Sequence, residues 1–205
     1  MQQKEATHLH IAVCQSGDVR HWHDELVDVY RQAFREPPYT KGDNVVRQFR
    51  STLLRHAQRD AFRCIAARDA DAGALVGFGY GYASRQGHWW HDEVLRQLDA
   101  AKAQAWFADA FEIVELAVRP QMQGRGIGGR LHDVLLDGVA QRTAVLSTLD
   151  ADTRGFRLYR SRGWSVLRSG FYFSGVSDPY LIMGKRLPSR ASGGCSYGHS
   201  GTSRV

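Results

Sequence analysis

The segment that most restricts the possible folds is the glycine-rich run at residues 123–129, QGRGIGG. The apolar stretch before it, residues 111–118, predicts a β-strand. The periodic apolar residues after it predict an α-helix that continues to about Arg142. Glycines between a strand and a helix let backbone N–H groups turn towards one anion, and the helix dipole adds positive potential. The run therefore predicts a phosphate or pyrophosphate site in a protein that mixes strands and helices.

Two kinds of phosphate ligand fit this loop. Gly124, Gly126 and Gly129 satisfy the GxGxxG pattern of dinucleotide-binding folds, and Asp150 follows the next predicted strand, where such folds place a ribose-binding acid. However, five residues, including Pro120, separate the strand from the first glycine. Too little chain follows the loop for the repeated βαβ units of such a fold. A nicotinamide-dependent oxidoreductase therefore remains the less favoured alternative.

A second interpretation joins the loop to its neighbours. With Gln123, Gly126 and Gly128 read as Gln-x-x-Gly-x-Gly, the loop resembles the coenzyme A signature of the GNAT superfamily of N-acetyltransferases. Upstream, residues 115–120 (ELAVRP) resemble the fourth strand of that superfamily and its exit. Downstream, residues 152–164 resemble its Asn-x-x-Ala-x-x-Leu-Tyr-x-x-x-Gly-Phe segment, with Asp in place of Asn and Trp in place of Phe.

The resemblance implies an α/β (α+β) fold, a single domain over residues 1–188 with a mixed central β-sheet flanked by helices. Apolar periodicity predicts further helices at residues 23–35, 43–59, 93–105 and 152–162. Further strands are predicted at residues 9–14, 62–68, 75–83, 143–149, 164–173 and 180–187. Residues 189–205 are rich in serine and glycine without periodicity, and we expect a disordered tail there.

The strand predicted at residues 75–83 alternates glycine with larger residues. Gly77, Gly79 and Gly81 share one face, because side chains alternate along a strand. A face of glycine predicts close approach of another backbone, a helix or a ligand.

The resemblance also implies how acetyl-CoA, as the acyl donor, is held. Backbone N–H groups from Arg125 to Gly129 would bind its pyrophosphate, and the backbones of Leu116 and Val118 would pair with its pantetheine arm. An N–H near Val118 would face the thioester carbonyl. The implied donor-binding residues are Leu116, Ala117, Val118, Gln123, Gly124, Arg125, Gly126, Ile127, Gly128, Gly129 and Asp152.

The implied reaction is direct acetyl transfer to a primary amine in a ternary complex, and it requires an acid and a base. Tyr159 would protonate the departing thiolate. A protonated amine cannot attack a thioester, so a base is needed, and Glu112 and Glu115 both stand where family members keep a catalytic glutamate. Residues three apart on a regular strand face opposite sides, so one of them faces the cleft unless a bulge intervenes. We favour Glu115 over Glu112. The alternative is a non-catalytic coenzyme A-binding module.

Net charge and hydropathy limit the classes of partner that the chain is expected to bind. The net charge of +6 is carried mostly by arginine and favours an anionic partner. The arginines of the predicted helix at residues 43–59 are spread around its circumference, so we do not expect nucleic acid binding. No apolar run reaches the roughly 18 residues of a membrane helix, and residues 1–10 lack the order of a signal peptide. We therefore expect a cytoplasmic protein without a membrane partner.

The histidine-rich segments do not predict a metal centre. The sets with metal-like spacing are His88, His91 and Asp92, and His21, His23 and Asp24. Neither set supplies the three or four ligands of a zinc site, and the three cysteines form no CxxC pair. We therefore expect no metal.

The acceptor is predicted only as a small-molecule or peptide amine. Trp89 and Trp90 lie in an inserted segment and are predicted to form an acceptor-pocket wall or a homodimer contact. By resemblance, the loop at residues 36–39 also lies on the acceptor side.

Overall fold

A computed structural model describes residues 8–14 and 16–188 and contains one mixed β-sheet flanked by helices. The strands are β1 (Leu9–Cys14), β2 (Arg63–Asp69), β3 (Leu75–Ser84), β4 (Ala110–Val118), β5 (Thr143–Leu149), β6 (Ser165–Phe171) and β7 (Tyr180–Arg186). The helices are α1 (Ser16–His21), α2 (His23–Phe34), α3 (Asp43–His56), α4 (Trp89–Leu95), α5 (Ala100–Phe107), α6 (Ile127–Leu136) and α7 (Arg154–Ser161). The predicted fold class is confirmed.

The strands follow the order β1-β2-β3-β4-β5-β7-β6, and one pair breaks the antiparallel pattern. Within the described residues, β4 and β5 form the only parallel pair. Their pairing covers Ala110–Glu112 against Thr143–Val145 and stops there. Beyond that point the two strands separate and leave a cleft in the middle of the sheet. A sheet with this topology is not the doubly wound parallel sheet of a dinucleotide-binding fold.

The helices form a layer on each face of the sheet. On one face, the ring of Tyr30 from α2 stacks on Phe49 from α3 at 3.8 Å between centroids, and Phe49 packs against Phe78 of β3. On the other face, Leu131 and Leu135 of α6 pack in a second buried cluster that also includes side chains of α7. The cleft between β4 and β5 therefore has helices on both sides.

The glycine face of β3 lies against β4 and α6, as the sequence predicted for a close approach. A Cβ at Gly77 would lie 2.9 Å from the carbonyl oxygen of Ala117 and 3.1 Å from Leu131. A Cβ at Gly79 would lie 2.8 Å from Leu116. The glycines serve packing within the sheet and under α6.

A β-bulge in β4 changes which residues share a face. Tyr80 pairs with Glu115, but Gly81 pairs with Ile113, so Val114 is an extra residue on β4. Glu112 and Glu115 therefore lie on the same face of the sheet, which a regular strand does not allow.

Two predicted helix boundaries were wrong. The single helix predicted at residues 93–105 is the pair α4 and α5, because the Asp99 side chain accepts the Lys102 N–H at 2.8 Å and begins a new helix. The helix after the glycine loop ends at Leu136 rather than near 142, and Gly138 follows with a positive φ of 71°. The predicted tail, residues 189–205, lies outside the described residues.

Candidate active site

The cleft between β4 and β5 opens into a cavity of about 1290 Å³. The loop at residues 123–129 and helix α7 line one end. The loop at residues 36–39, helix α4 and the segment after β6 line the other end. Because the predicted donor and acceptor residues lie at these two ends, we call the ends the donor half and the acceptor half.

The donor half is built around the first turn of α6. Gly124 and Gly126 have φ of +73° and +79°, a left-handed conformation that favours glycine, and Gly126 is the N-cap of α6. A Cβ at either position would meet no atom within 4 Å, so the space in front of the helix is open. The first-turn N–H groups of a helix have no acceptor within the helix. These residues fit a bound pyrophosphate.

Gly129 also serves packing between α6 and the end of α7. A Cβ at Gly129 would overlap the guanidinium of Arg162. Arg162 in turn donates from Nε to Asp133 at 2.7 Å, which joins α7 to α6. Because Gly129 has no side chain, it leaves space for this ion pair.

The side chain of Gln123 fixes the loop to β4. Its Nε2 donates to the carbonyl oxygen of Val118 at 2.9 Å, and its Oε1 accepts from Arg154 at 2.7 Å. The N–H of Arg119 bonds to Val76 in β3, and backbone groups alternate between the two sides of a strand. The backbone groups of Val118 and Leu116 therefore face the cleft.

Glu115 lines the cavity near its centre. Its side chain is 17% exposed, and its Oε1 lies 3.8 Å from Lys41 Nζ. Burial raises the pKa of Glu115 above its ordinary value, and the positive charge of Lys41 opposes that shift. Lys41 itself donates to the Tyr30 hydroxyl at 2.8 Å and lies over the Phe34 ring.

Glu112 shares the face of Glu115 but is not among the residues that line the cavity. It is 3% exposed and accepts hydrogen bonds from Tyr82 at 3.1 Å and from Ser84 at 3.3 Å. Ser84 Oγ also lies 3.0 Å from His91 Nδ1. Burial raises the pKa of Glu112 to about 7, against the effect of these hydrogen bonds and of Arg59. Sequence analysis missed this buried cluster because its members come from three different elements.

Tyr159 lies where α7 meets the cavity. Its ring is 8% exposed and packs edge-on against Trp164 at 5.6 Å. Burial raises the pKa of Tyr159 above its ordinary value, so the hydroxyl keeps its proton at neutral pH. Asp152 also lines the cavity, but its side chain is 73% exposed and pairs with Arg157 at 2.7 Å.

The acceptor half has aromatic walls. Trp89 lies 5.6 Å from Phe173 between ring centroids, and Phe173 lies 5.2 Å from Tyr180. Trp90 donates from Nε1 to Ser147 at 3.1 Å. Both tryptophans line the cavity, and their contact with an acceptor stays a prediction. Phe173 and Tyr180 were missed, since nothing in the sequence connects them to residue 89.

Tyr39 joins the predicted acceptor loop to the opposite side of the cleft. Its hydroxyl approaches the side-chain hydroxyls of Thr148, at the end of β5, and of Thr153, at the start of α7, beside Gly155. Its ring packs edge-on against Phe34 at 5.0 Å. The loop at residues 36–39 is therefore held across the cleft, between the two halves of the cavity.

Several of the side chains considered as metal ligands have other hydrogen-bond partners, although His88 Nδ1 is buried without one. Asp92 accepts the Gly87 N–H, and His23 bonds to the carbonyl oxygen of Arg50. In the part of the chain that the structure describes, no group of three or more metal-binding side chains is found. None of the described helices is long and apolar enough to cross a membrane.

Comparisons with known proteins agree on one family. Residues 21–164 match the model of the acetyltransferase (GNAT) family. The GCN5-like protein acetyltransferase Rv2170 of Mycobacterium tuberculosis is 29% identical over 192 residues, with 80% of this chain and 91% of the relative covered.

Two solved structures show the same fold. The ribosomal-protein-S18-alanine N-acetyltransferase of Escherichia coli has a TM-score of 0.60 at 15% identity, with 91% of this chain and 98% of that chain covered. Salmonella typhimurium yncA, solved with its cofactor acetyl-CoA, has a TM-score of 0.55 at 16% identity, with 90% and 97% covered.

Proposed function

The chain belongs to the acetyltransferase (GNAT) family, as its glycine loop indicated, and we propose that it transfers an acetyl group from acetyl-CoA to a primary amine. One observation carries the proposal. The strands β4 and β5 separate beside the first turn of α6, and the backbone of Leu116 and Val118 faces the gap. A narrow donor molecule with a phosphate at one end and an extended amide arm fits these groups.

The donor half supplies backbone contacts for acetyl-CoA. The N–H groups from Arg125 to Gly129 bind the pyrophosphate, because they lie at the positive end of the α6 dipole. Leu116 and Val118 pair with the amides of the pantetheine arm. The Val118 N–H faces the thioester carbonyl and stabilises the negative oxygen that develops there.

Glu115 is the base that we propose, because it lies in the cavity whereas Glu112 is closed off below it. In the reaction the amine nitrogen forms a bond to the acetyl carbon, the carbon–sulfur bond breaks, and the amine proton passes to Glu115. Tyr159 gives its proton to the departing thiolate. Burial raises the pKa of Glu115, and the positive charge of Lys41 opposes that shift and favours the ionised carboxylate that acts as the base.

Some expectations remain proposals. The domain over residues 1–188, the cytoplasmic location and the absence of nucleic acid, membrane and metal partners rest on the sequence.

Thiol release and calorimetry test the proposal together. Wild-type protein should bind acetyl-CoA and release free thiol when a panel of primary amines is added. Glu115→Gln should keep acetyl-CoA affinity, lower kcat and flatten the acidic limb of the kcat/KM pH profile, and Glu112→Gln should leave that limb in place. Binding without thiol release for any amine would favour the non-catalytic coenzyme A-binding module. A flattened limb in Glu112→Gln alone would move the base to Glu112.

A further inference from the structure

The acceptor half of the cavity presents aromatic surface to solvent. Trp89 is 56% exposed and Val176 is 40% exposed, and both line the cavity beside Phe173. A tryptophan held at the start of a helix with more than half of its surface in water is not there to fill the core. An exposed apolar surface that lines a cavity indicates a ligand with an apolar face.

A row of packed rings supports Trp89 from α4 to β7, and its middle ring, Phe173, is 6% exposed. Trp89 contacts Phe173, and Phe173 contacts Tyr180, with centroid separations of 5.6 Å and 5.2 Å. The rings come from a helix, a loop and a strand, so they are fixed by three separate elements. Stacked and edge-on aromatic contacts stabilise a bound ring beyond simple burial. A flat ring in the acceptor could use this surface.

The carboxylates of the acceptor half can neutralise one positive charge on a bound acceptor, and no more than one. Two carboxylates line this half, Glu36 at the exposed loop and Glu115 near the centre. Glu115 already lies 3.8 Å from Lys41. The third carboxylate that lines the cavity, Asp152, pairs with Arg157 in the donor half. A polyamine or an aminoglycoside carries several ammonium groups, and most of them would have no carboxylate to pair with here.

We propose that the acceptor is a primary monoamine carried on a flat aromatic group, with the ring on the surface formed by Trp89, Phe173 and Tyr180. This inference rests on the proposed function, because it assigns the acceptor of that same reaction. The ammonium group points towards Glu115, loses its proton there and attacks the thioester carbon. The same chemistry occurs in free arylalkylamines and in peptides with an N-terminal aromatic residue.

Amine selectivity tests the acceptor class. Thiol release should be measured with tryptamine, hexylamine and spermidine, and with two short peptides that begin with Trp or with Gly. Tryptamine should exceed hexylamine by at least tenfold in kcat/KM, and spermidine should be the poorest of the three. A faster reaction with the Trp-peptide than with tryptamine would place the aromatic amine on a peptide. Faster reaction with spermidine or hexylamine than with tryptamine would overturn the inference.

Two variants test whether Trp89 causes the preference for an aromatic amine. Trp89→Ala should raise the KM for tryptamine by roughly tenfold, with kcat and the hexylamine KM little changed. Tyr172→Ala is the matched control, because Tyr172 is also 56% exposed but does not line the cavity. Equal loss for all amines in Trp89→Ala, or equal effects of the two variants, would contradict the assignment.

A binding measurement separates this inference from the proposed reaction. Tryptamine should bind to protein saturated with coenzyme A, and Trp89→Ala should weaken that binding by roughly tenfold in calorimetry. If no amine gives thiol release but tryptamine binds in this way, the proposed acetyl transfer is wrong and the proposed aromatic site is supported. If amines are acetylated but tryptamine does not bind, the aromatic site fails and acetyl transfer stands.

Discussion

The two halves of the cavity are built from different parts of the polypeptide. The donor half uses backbone groups from two nearby segments, the end of β4 and the loop at residues 123–129, which four residues separate. The acceptor half uses side chains from α4, the loop at residues 36–39, the segment after β6 and the start of β7. A backbone site needs glycines and a helix N-terminus, whereas a side-chain site can be assembled from any residues that the fold brings together.

This difference explains why the donor half could be predicted from the sequence and the acceptor half could not. The donor half depends on conformations that few residues other than glycine adopt, so its residue types and spacing are constrained. The acceptor half depends on rings at residues 89, 173 and 180, far apart along the chain. The comparison predicts that donor-side and acceptor-side substitutions change different measured quantities.

The largest effect is expected where the halves meet. Tyr159→Phe removes the hydroxyl that protonates the thiolate, so kcat should fall between tenfold and a thousandfold, roughly 1.4 to 4 kcal/mol of barrier. Acetyl-CoA affinity measured by calorimetry should stay the same, since the ring still packs against Trp164. A kcat within about twofold of wild type would show that solvent supplies this proton.

A second substitution tests Glu112, the buried glutamate that lies outside both halves of the cavity. Burial raises the pKa of Glu112 to about 7 from an ordinary 4.5. Between these two pH values the Glu112 carboxyl keeps its proton in the native state, whereas in the unfolded chain it has lost it. Wild-type stability therefore falls as pH rises from about 4.5 to 7, by up to about 3 kcal/mol from this group.

Glu112→Gln should remove this loss, so denaturant unfolding should show the variant gaining stability relative to wild type across that pH range. The exposed Glu36→Gln variant is the control. A constant difference between Glu112→Gln and wild type over the range would mean that Glu112 is ionised in the native state.

A third substitution affects donor binding alone. Gly126→Val places a branched side chain at φ +79° in the open space before α6, so acetyl-CoA affinity should fall at least tenfold, about 1.4 kcal/mol. Gly138→Val is the control, since Gly138 has φ +71° and equally open surroundings at the far end of α6. Both variants should lose stability, and only Gly126→Val should lose affinity. Equal affinities would remove the loop from the donor site.

The smallest effect is expected from the side chain that fixes the loop. Gln123→Ala loses the bonds to Val118 and Arg154, so acetyl-CoA affinity should fall several-fold, about 1 kcal/mol. Gln48→Ala, on the exposed face of α3, is the matched control. A change in the KM for the amine but not in acetyl-CoA affinity would mean that the two halves are not separate.

Sequence analysis could predict most of the sheet and the donor loop because those depend on local periodicity and glycine spacing. It could not place Glu112 and Glu115 on one face, because the bulge at Val114 is a feature of strand pairing. It could not predict the break at Asp99, since the side chain caps α5 within a segment that otherwise has helical periodicity. Nor could it join Tyr39 to Thr148 and Thr153, which meet only across the cleft.

The separation of β4 from β5 also bears on self-association. Unpaired strand edges at the rim of a sheet can recruit another copy of the chain and begin aggregation. Here the pairing between Ala110–Glu112 and Thr143–Val145 ends inside the sheet, between two layers of helices. The Leu116 backbone and the Val118 N–H, which do not pair with β5, face this cleft rather than the outer rim of the sheet, where another chain could add as a strand. The molecule thus keeps an open edge available for a ligand without presenting it to other proteins.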